Sequence, residues 1–287
     1  MHPGMLYLCP TPIGNLEDIT LRVLRVLREA DVVAAEDTRH SRKLLTHFEI
    51  HKPLVSYHEH NKAERGPELL QRLLAGESIA LVSDAGMPGI ADPGADLVRL
   101  ALDAGVPVVP LPGANAALTS LIASGLPSEQ FQFLGFLPKT TKKRRALLEE
   151  AASYPGTLIF YEAPHRLLAT LKELQSAFGN RQAVAVRELT KKFEEFVRGD
   201  LASIEAHFQT VAPRGEFTLL CAGAEPKVAD AALEADPSAQ IAEAVAEVER
   251  LVAAGEHKKD AIRKIASQKK LGRRDLYQAV IKEAVES

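Results

Sequence analysis

The run Ile79-Ala80-Leu81-Val82-Ser83-Asp84-Ala85-Gly86-Met87-Pro88 decides how the rest of the chain is read. Ile79–Ser83 has the character of a strand buried on both faces, and it empties into a small, acidic, glycine-bearing turn. Open α/β sheets hold their ligands at the carboxyl ends of such strands. Asp84 can accept a hydrogen bond from an amino group or a hydroxyl, and Gly86 lets the backbone come close to a ligand. The alternative is an Asx-type turn that only caps the next element.

The same pattern recurs on either side. Upstream, Leu6–Cys9 reads as a strand entering the Pro/Gly turn Pro10–Leu16, and Leu21, Leu24, Val26, Leu27 and Ala30 lie at helical spacing. Asp31–Ala35 is a second strand ending abruptly in Glu36–Arg39; Leu44, Leu45 and Phe48 fit a helix. Leu54–Tyr57 runs into His58–Asn61, and Leu69, Leu70, Leu73 and Leu74 are again helical. Downstream, Val106–Pro110 ends in Pro112-Gly113-Ala114-Asn115-Ala116, either a wall for a flat ligand or a tight link between domains.

A second half begins near Ala114. Strands are expected at Phe131–Phe136, Thr157–Tyr161, Ala183–Arg187, Phe193–Arg198 and Phe217–Cys221, with helices near Lys142–Ala152, Leu167–Phe178 and Leu201–Phe208. Strands alternating with helical periods indicate stacked βα units. The expected class is α/β, with domains at 1–113 and 114–224 and a helical unit at 225–287.

The length of 287 residues suits about two domains, and 46% hydrophobic with 25% charged residues excludes a disordered or collagen-like chain. Two cysteines, Cys9 and Cys221, are too few for a disulfide framework or a Cys-rich zinc site, so buried thiols in a reducing compartment are expected. No stretch approaches the ~20 apolar residues of a membrane span, and Met1–Asn15 shows no signal-peptide core. The expected home is the cytoplasm.

The net charge of -3 conceals a reversal near the end. Glu225–Glu256 carries eight acidic and two basic residues, whereas His257–Asp275 carries eight Lys/Arg and two Asp. Ala261, Ile262, Ile265 and Ala266 fit one helix and Leu276, Ala279 and Val280 another, with Leu271-Gly272 between, as in a helix-turn-helix-like unit. A solvated, charged helical tail is the plainer account.

No G-x-G-x-x-G follows a predicted strand and no Walker-type lysine loop occurs, which argues against an ordinary NAD enzyme or a phosphate-clamping NTPase. His58 and His60 alternate and would share a strand face, but only two imidazoles converge and no Cys assists, so a polar rim fits better than a metal site. Thr38 could simply cap the helix after it. Lys139-Thr140-Thr141-Lys142-Lys143-Arg144-Arg145 places five cations in seven residues. Such a run can meet a phosphate backbone or merely solubilise a turn. At 5% aromatic, the chain signals no base-stacking platform.

Leu6–Asp18, with its Pro10-Thr11-Pro12-Ile13-Gly14-Asn15 core, resembles the opening of the bacterial ribosomal-RNA small-subunit methyltransferase I family. Glu36-Asp37-Thr38-Arg39, Ser56–Asn61, Val82–Gly86, Pro112–Ala114, Phe160–Arg166 and Arg187–Lys191 follow in that family's order, over roughly Leu6–Cys221. The parent group is the tetrapyrrole methylases. The resemblance implies two α/β domains with S-adenosylmethionine in the cleft between them, a homodimer, and methyl transfer to the ribose 2′-hydroxyl of a cytidine of 16S ribosomal RNA (cytidine 1402 in the family). It implies cofactor contacts at Pro12, Gly14, Ser83, Asp84, Ala85, Gly86, Ile90, Ala91, Asn115, Ala116, Tyr161 and Leu189. Met87 departs from the pattern, which commonly has Thr there; Met supplies bulk and no hydroxyl.

Methyl transfer to a hydroxyl needs in-line alignment and a proton acceptor. Asp37 or Glu36 is the expected acceptor, with Arg39 holding phosphate or substrate and His58 and His60 shaping the ribose pocket. The same residues could instead dock RNA without moving a proton. Expected RNA contacts are Lys139, Lys142, Lys143, Arg144, Arg145, His165 and Arg166, and in the tail Lys258, Lys259, Arg263, Lys264, Lys269, Lys270, Arg273 and Arg274. A structural helix start after Pro164 is an equal alternative for His165-Arg166. The expected partner is 16S rRNA within the small ribosomal subunit. Rival readings are a tetrapyrrole C-methyltransferase on the same scaffold and a non-enzymatic RNA-binding protein.

Overall fold

The computed structural model describes residues 3–225, 237–269 and 271–286, in two compact units, Met1–Ala224 and Glu225–Ser287. Residues 226–236 of the acidic stretch, and Lys270, lie outside the described residues.

The first unit holds two five-stranded sheets. The first is built from β1 (Leu6–Leu8), β2 (Val32–Ala35), β3 (Leu54–Ser56), β4 (Ile79–Val82) and β5 (Val108–Pro110), in the order β3-β2-β4-β1-β5. Every pairing is parallel. The helices between them are α1 (Leu21–Glu29), α2 (Thr38–His47), α3 (Lys62–Leu74) and α4 (Gly94–Asp103). β2 and β4 are buried on both faces, yet their side chains still sort by period two. Val33, Ala35, Ala80 and Val82 pack with Val23, Val26 and Leu27 of α1 and Leu45 of α2. Val32, Ala34, Ile79 and Leu81 pack on the other face with Leu69 and Leu73 of α3 and Leu97 and Ala101 of α4. Continuous apolar runs are what such double coverage requires.

After α5 (Ala116–Ser124), the second sheet runs β6-β7-β10-β8-β9, from β6 (Phe131–Phe136), β7 (Thr157–Glu162), β8 (Gln182–Arg187), β9 (Glu195–Asp200) and β10 (Phe217–Cys221). It departs from simple βα stacking. Only β6 and β7 pair in parallel; β10 inserts antiparallel between β7 and β8, and β8 and β9 form an antiparallel pair. The helices α6 (Thr141–Ala151), α7 (Leu167–Phe178) and α8 (Leu201–Thr210) cover one face through Leu148, Leu171, Leu174, Ile204 and Phe208. On the other face Ala117 and Leu121 of α5 pack on Ile159, Val184, Val186 and Leu220. Arg181 closes this half by donating to the carbonyls of Phe178, Ala222 and Ala152.

Both cysteines are buried, and burial pushes each thiol up to about 12.

The second unit comprises α9 (Pro237–Ala253), α10 (Lys258–Gln268) and α11 (Arg273–Glu286). Ala244, Val245 and Val248 of α9 meet Ala261, Ile262, Ile265 and Ala266 of α10 and Leu276 and Val280 of α11. The acidic helix is thus an integral third of the unit and also neutralises part of the basic segment: Lys269 pairs with Glu243 and Glu247. Lys264 pairs with Glu256, and Arg263 with Asp260.

Candidate active site

A parallel sheet delivers the carboxyl ends of all its strands to one edge. At that edge β1 ends in Cys9-Pro10-Thr11, β2 in Glu36-Asp37, β3 in Tyr57-His58, β4 in Ser83-Asp84 and β5 in Leu111–Asn115. A network of backbone bonds fastens two of these ends. Thr11 and Gly86 exchange N–H···O bonds of 2.9 and 3.0 Å. Thr11 Oγ1 donates to the Ser83 carbonyl at 3.1 Å, and Ser83 Oγ donates to the Gly86 carbonyl at 3.0 Å. Gly86 sits at φ +80°, where a side chain would be strained and would crowd Ile13 Cγ2.

The resulting cleft measures about 410 Å³ and is lined from both sheets. The first contributes Ile13, Glu36, Ser83–Met87, Ile90, Ala91 and Asp92. The second half contributes Asn115, Ala116, Phe136, Tyr161, Leu189, Lys191 and Thr218, among others. Of the expected cofactor contacts, the structure brings Ser83, Asp84, Ala85, Gly86, Ile90, Ala91, Asn115, Ala116, Tyr161 and Leu189 together on this wall. Pro12 and Gly14 flank Ile13 without lining it themselves. Gly14 has another use: a Cβ there would run into Cγ of Lys191, so the first-sheet loop and the Lys191 stem touch.

The far wall is pre-set by strain. Glu188 and Thr190, on either side of Leu189, hold φ of 50° and 66°, a costly conformation for residues with a Cβ. Three bonds maintain it. Glu188 Oε1 accepts from the Glu216 N–H at 3.0 Å and from Lys191 Nζ at 2.9 Å, and Glu194 accepts the Thr190 N–H at 2.6 Å. Lys191 also reaches Glu216 at 2.9 Å. Tyr161 is fixed by edge contacts with Phe133 and Phe136, centroids 4.9 and 5.7 Å away.

The two candidate proton acceptors separate clearly. Asp37 is the N-cap of α2, one residue earlier than the Thr38 cap considered from sequence; it accepts from the Arg39 N–H at 2.8 Å and is gripped by the Arg39 guanidinium at 2.8 and 3.1 Å. Arg39 holds the Asp37 carboxyl well below the usual carboxylate range. Glu36 lines the cleft; burial, then the nearby Asp84 and Asp92 carboxylates, raises its pKa. Asp92 is set at the end of its turn by the N–H groups of Gly89 and Gly94.

The histidines stand outside the lining. His58 and His60 have ring centroids 6.0 Å apart, at the end of the strand bordering β2. Asn61 holds that turn, accepting the His58 N–H at 2.8 Å and donating to the Ser56 carbonyl. Among the described residues, no three His, Cys, Asp or Glu side chains gather to hold a metal ion.

The basic run divides as well. Arg144 forms an ion pair with Glu173 and donates to the carbonyls of Pro138 and Lys139; Arg145 pairs with Glu149. Arg166 donates to the Leu137 carbonyl and lies 3.5 Å from Glu162, a fully buried carboxylate that also accepts from Thr170 Oγ1. Lys139, Lys142, Lys143 and His165 are exposed.

Residues that motif reading passes over include Phe136, Asp92, Lys191, Glu216 and Thr218. Lys191 ends a quoted motif, but the role of its stem depends on the distant Gly14. Asp92-Pro93-Gly94 is a recognisable helix entry, whereas Thr218 carries no signal beyond its place in an apolar strand.

The sequence profile of the Tetrapyrrole (Corrin/Porphyrin) Methylases matches residues 5–205. A ribosomal RNA small subunit methyltransferase I of Halalkalibacterium halodurans is 49% identical over 274 residues, covering 96% of this chain and 93% of that protein. The protein of the same name from Synechocystis sp. is 48% identical over 276 residues, covering 96% of each. Among solved structures, uroporphyrin-III C-methyl transferase from Thermus thermophilus, complexed with S-adenyl homocysteine, aligns with a TM-score of 0.53 at 24% identity, covering 76% of this chain and 97% of that one. No helix among the described residues is long and apolar enough to cross a membrane.

Proposed function

The chain belongs to the tetrapyrrole methylases and, within them, to the ribosomal RNA small subunit methyltransferase I family, and on that premise we propose that it methylates the ribose 2′-hydroxyl of a cytidine in 16S ribosomal RNA. Cytidine 1402 is the target the family resemblance implies. S-adenosylmethionine is the cofactor. The residues present fit it: a two-walled cleft of about 410 Å³ offers apolar Ile13, Ile90 and Leu189, the Tyr161 ring, and the polar Ser83–Gly86 turn. The relative solved with S-adenyl homocysteine supports the same choice.

The observation that carries the reading is Glu36 in this cleft, half-buried beside Asp84 and Asp92 and with its proton affinity raised. The bound cofactor supplies a methyl group on a sulfonium leaving group. Ser83–Gly86, Asn115, Ala116, Tyr161 and Leu189 would hold it. Glu36 accepts the proton of the attacking hydroxyl, a task suited to a carboxylate whose pKa is raised towards neutrality. Asp37 keeps Arg39 at the cleft rim, and the Arg39 side chain, 88% exposed, can hold a phosphate. His58 and His60 border the ribose from the neighbouring strand end. Pro12 and Gly14 support the cofactor wall through Ile13 and Lys191.

The wider RNA contact falls to Lys139, Lys142, Lys143 and His165, and to tail cations such as Lys258, Lys259, Arg273 and Arg274. The substrate is the small ribosomal subunit, and the place of action the cytoplasm. A homodimer is the assembly that the family implies; exposed Leu118 and Ile122 on α5 offer it an apolar face.

Transfer of tritiated methyl groups tests the proposal, with 30S particles and a free porphyrinoid as competing acceptors. Label in 16S rRNA is expected. Label in the porphyrinoid alone would replace the reading with C-methylation of a tetrapyrrole. Cofactor binding seen by calorimetry without any transfer would reduce it to RNA binding.

A further inference from the structure

α2 leaves the cleft directly from Glu36-Asp37 and turns a face of Arg39, Arg42, Lys43, Thr46 and His47 to solvent. Those positions follow the i, i+3, i+4, i+7, i+8 spacing of one helical face, and they line a single shallow depression. The opposite side, Ser41, Leu44 and Leu45, is buried. The ridge therefore runs ~12 Å at 1.5 Å per residue away from the site.

Three features mark it as a cationic face. The helix contains no acidic residue. Among the described residues, no carboxylate lies within ion-pair distance of Arg42 or Lys43. Elsewhere in the same unit, Arg25, Arg65, Arg72, Arg144 and Arg145 each have a carboxylate partner. Arg39 also stands in the first helical turn, where the macrodipole disfavours a cation. The N-cap Asp37 partly offsets that cost and fixes the ridge to the cleft rim.

Resting on the reading above that the protein acts on RNA, we propose that this face of α2 is the docking ridge for the phosphate backbone of the strand whose ribose enters the cleft. A row of exposed cations, of which Arg42 and Lys43 have no carboxylate partner among the described residues, suits a flexible polyanion and carries no base preference. Its continuity with Glu36 sets the register: a strand held along α2 brings the next ribose to the acceptor. In the Lys139–Arg145 run Arg144 and Arg145 already have partners, and Lys139, Lys142 and Lys143 do not lie on the helix that starts at Glu36-Asp37.

The test is the double variant Arg42→Ala/Lys43→Ala in the full chain, with Arg42→Lys/Lys43→Arg as its charge-keeping counterpart. Binding of protein-free single-stranded RNA is measured across salt, and methyl transfer to 30S particles at fixed salt. Two lost phosphate contacts should reduce the salt slope by about 1.4, at ~0.7 per single-stranded contact. KM for 30S should rise on the order of tenfold, with kcat at saturation unchanged, while the charge-keeping variant matches wild type. Cofactor affinity by calorimetry should be equal in all three, which verifies the fold. Unchanged slope and KM overturn the ridge and leave the methylation reading standing. Loss of 30S affinity without loss on protein-free RNA also overturns it, pointing to a ribosomal protein. If wild type methylates no RNA but the alanine variant still loses its RNA slope, the ridge holds and the methylation reading falls.

Discussion

The Asp84 carboxylate accepts the backbone N–H of Asp37 at 3.0 Å. One bond thereby ties the turn after β4 to the turn after β2, and it brings a fixed negative charge close to Glu36. The proton affinity of Glu36 and the shape of the cofactor wall depend on the same side chain.

Glu36→Gln should lower kcat by about 10²–10⁴, the usual contribution of a general base, with little change in cofactor affinity. The pH dependence follows from the raised pKa. Above the ordinary carboxylate pKa the unfolded chain releases this proton while the folded protein keeps it. Stability contributed here therefore falls as pH rises towards the folded pKa. Removing the charge should raise Tm at neutral pH while removing activity. A variant that keeps full kcat would discard Glu36 as acceptor.

Asp84→Asn should shift the acidic limb of the rate profile to lower pH, because one of the charges opposing Glu36 ionisation is gone. Burial, the larger cause, remains, so part of the elevation persists. An unmoved limb in single-turnover profiles would mean that another group titrates there.

Gly14→Ala should weaken cofactor binding by roughly tenfold, about 1.4 kcal/mol, by displacing the Lys191 stem and with it the strained Leu189 loop. Adding Lys191→Ala should recover part of the loss, since the obstructed side chain is then absent. Calorimetry on the two variants decides; additive losses would show that the glycine serves something else.

Arg144→Ala should cost about 1.5–3 kcal/mol in chemical denaturation, the range for hydrogen bonds to charged groups, because its guanidinium joins Glu173 to two carbonyls. The salt slope of RNA binding should stay as in wild type. A lower slope with unchanged stability would return Arg144 to the RNA surface.

Much of the site was legible because a buried strand entering a polar turn leaves a sharp local signature. Phe131–Phe136, Leu167–Phe178 and Phe217–Cys221 match their elements end to end. Others, such as β5, are shorter than their apolar runs, because pairing with a neighbour, not hydrophobicity, sets strand ends. For α5 the small residues Pro112–Ala116 announce a helix but not its length, since Ala116–Ser124 is too uniformly apolar for its period to mark where the helix ends. α4 is not among the helices expected from sequence, although Asp92, holding the Gly94 N–H from outside the helix, and Pro93 mark its entry. The antiparallel insertion of β10 is a long-range pairing that no local pattern encodes. Charges are harder still. Asp37 and Glu36 are adjacent and chemically alike, and only the Arg39 grip on one and the Asp84 neighbour of the other tell them apart. The five cations of residues 139–145 look equivalent until Glu173, far along the chain, claims one.

The state of the two cysteines has a practical side. With both thiols enclosed and protonated at any workable pH, the wild-type chain offers maleimides nothing to attack. A cysteine introduced at the exposed Thr46 would be the sole labelling point, without first removing the native pair. A fluorophore there would watch α2 as RNA arrives, turning the docking step into an optical signal that can be timed apart from the chemistry.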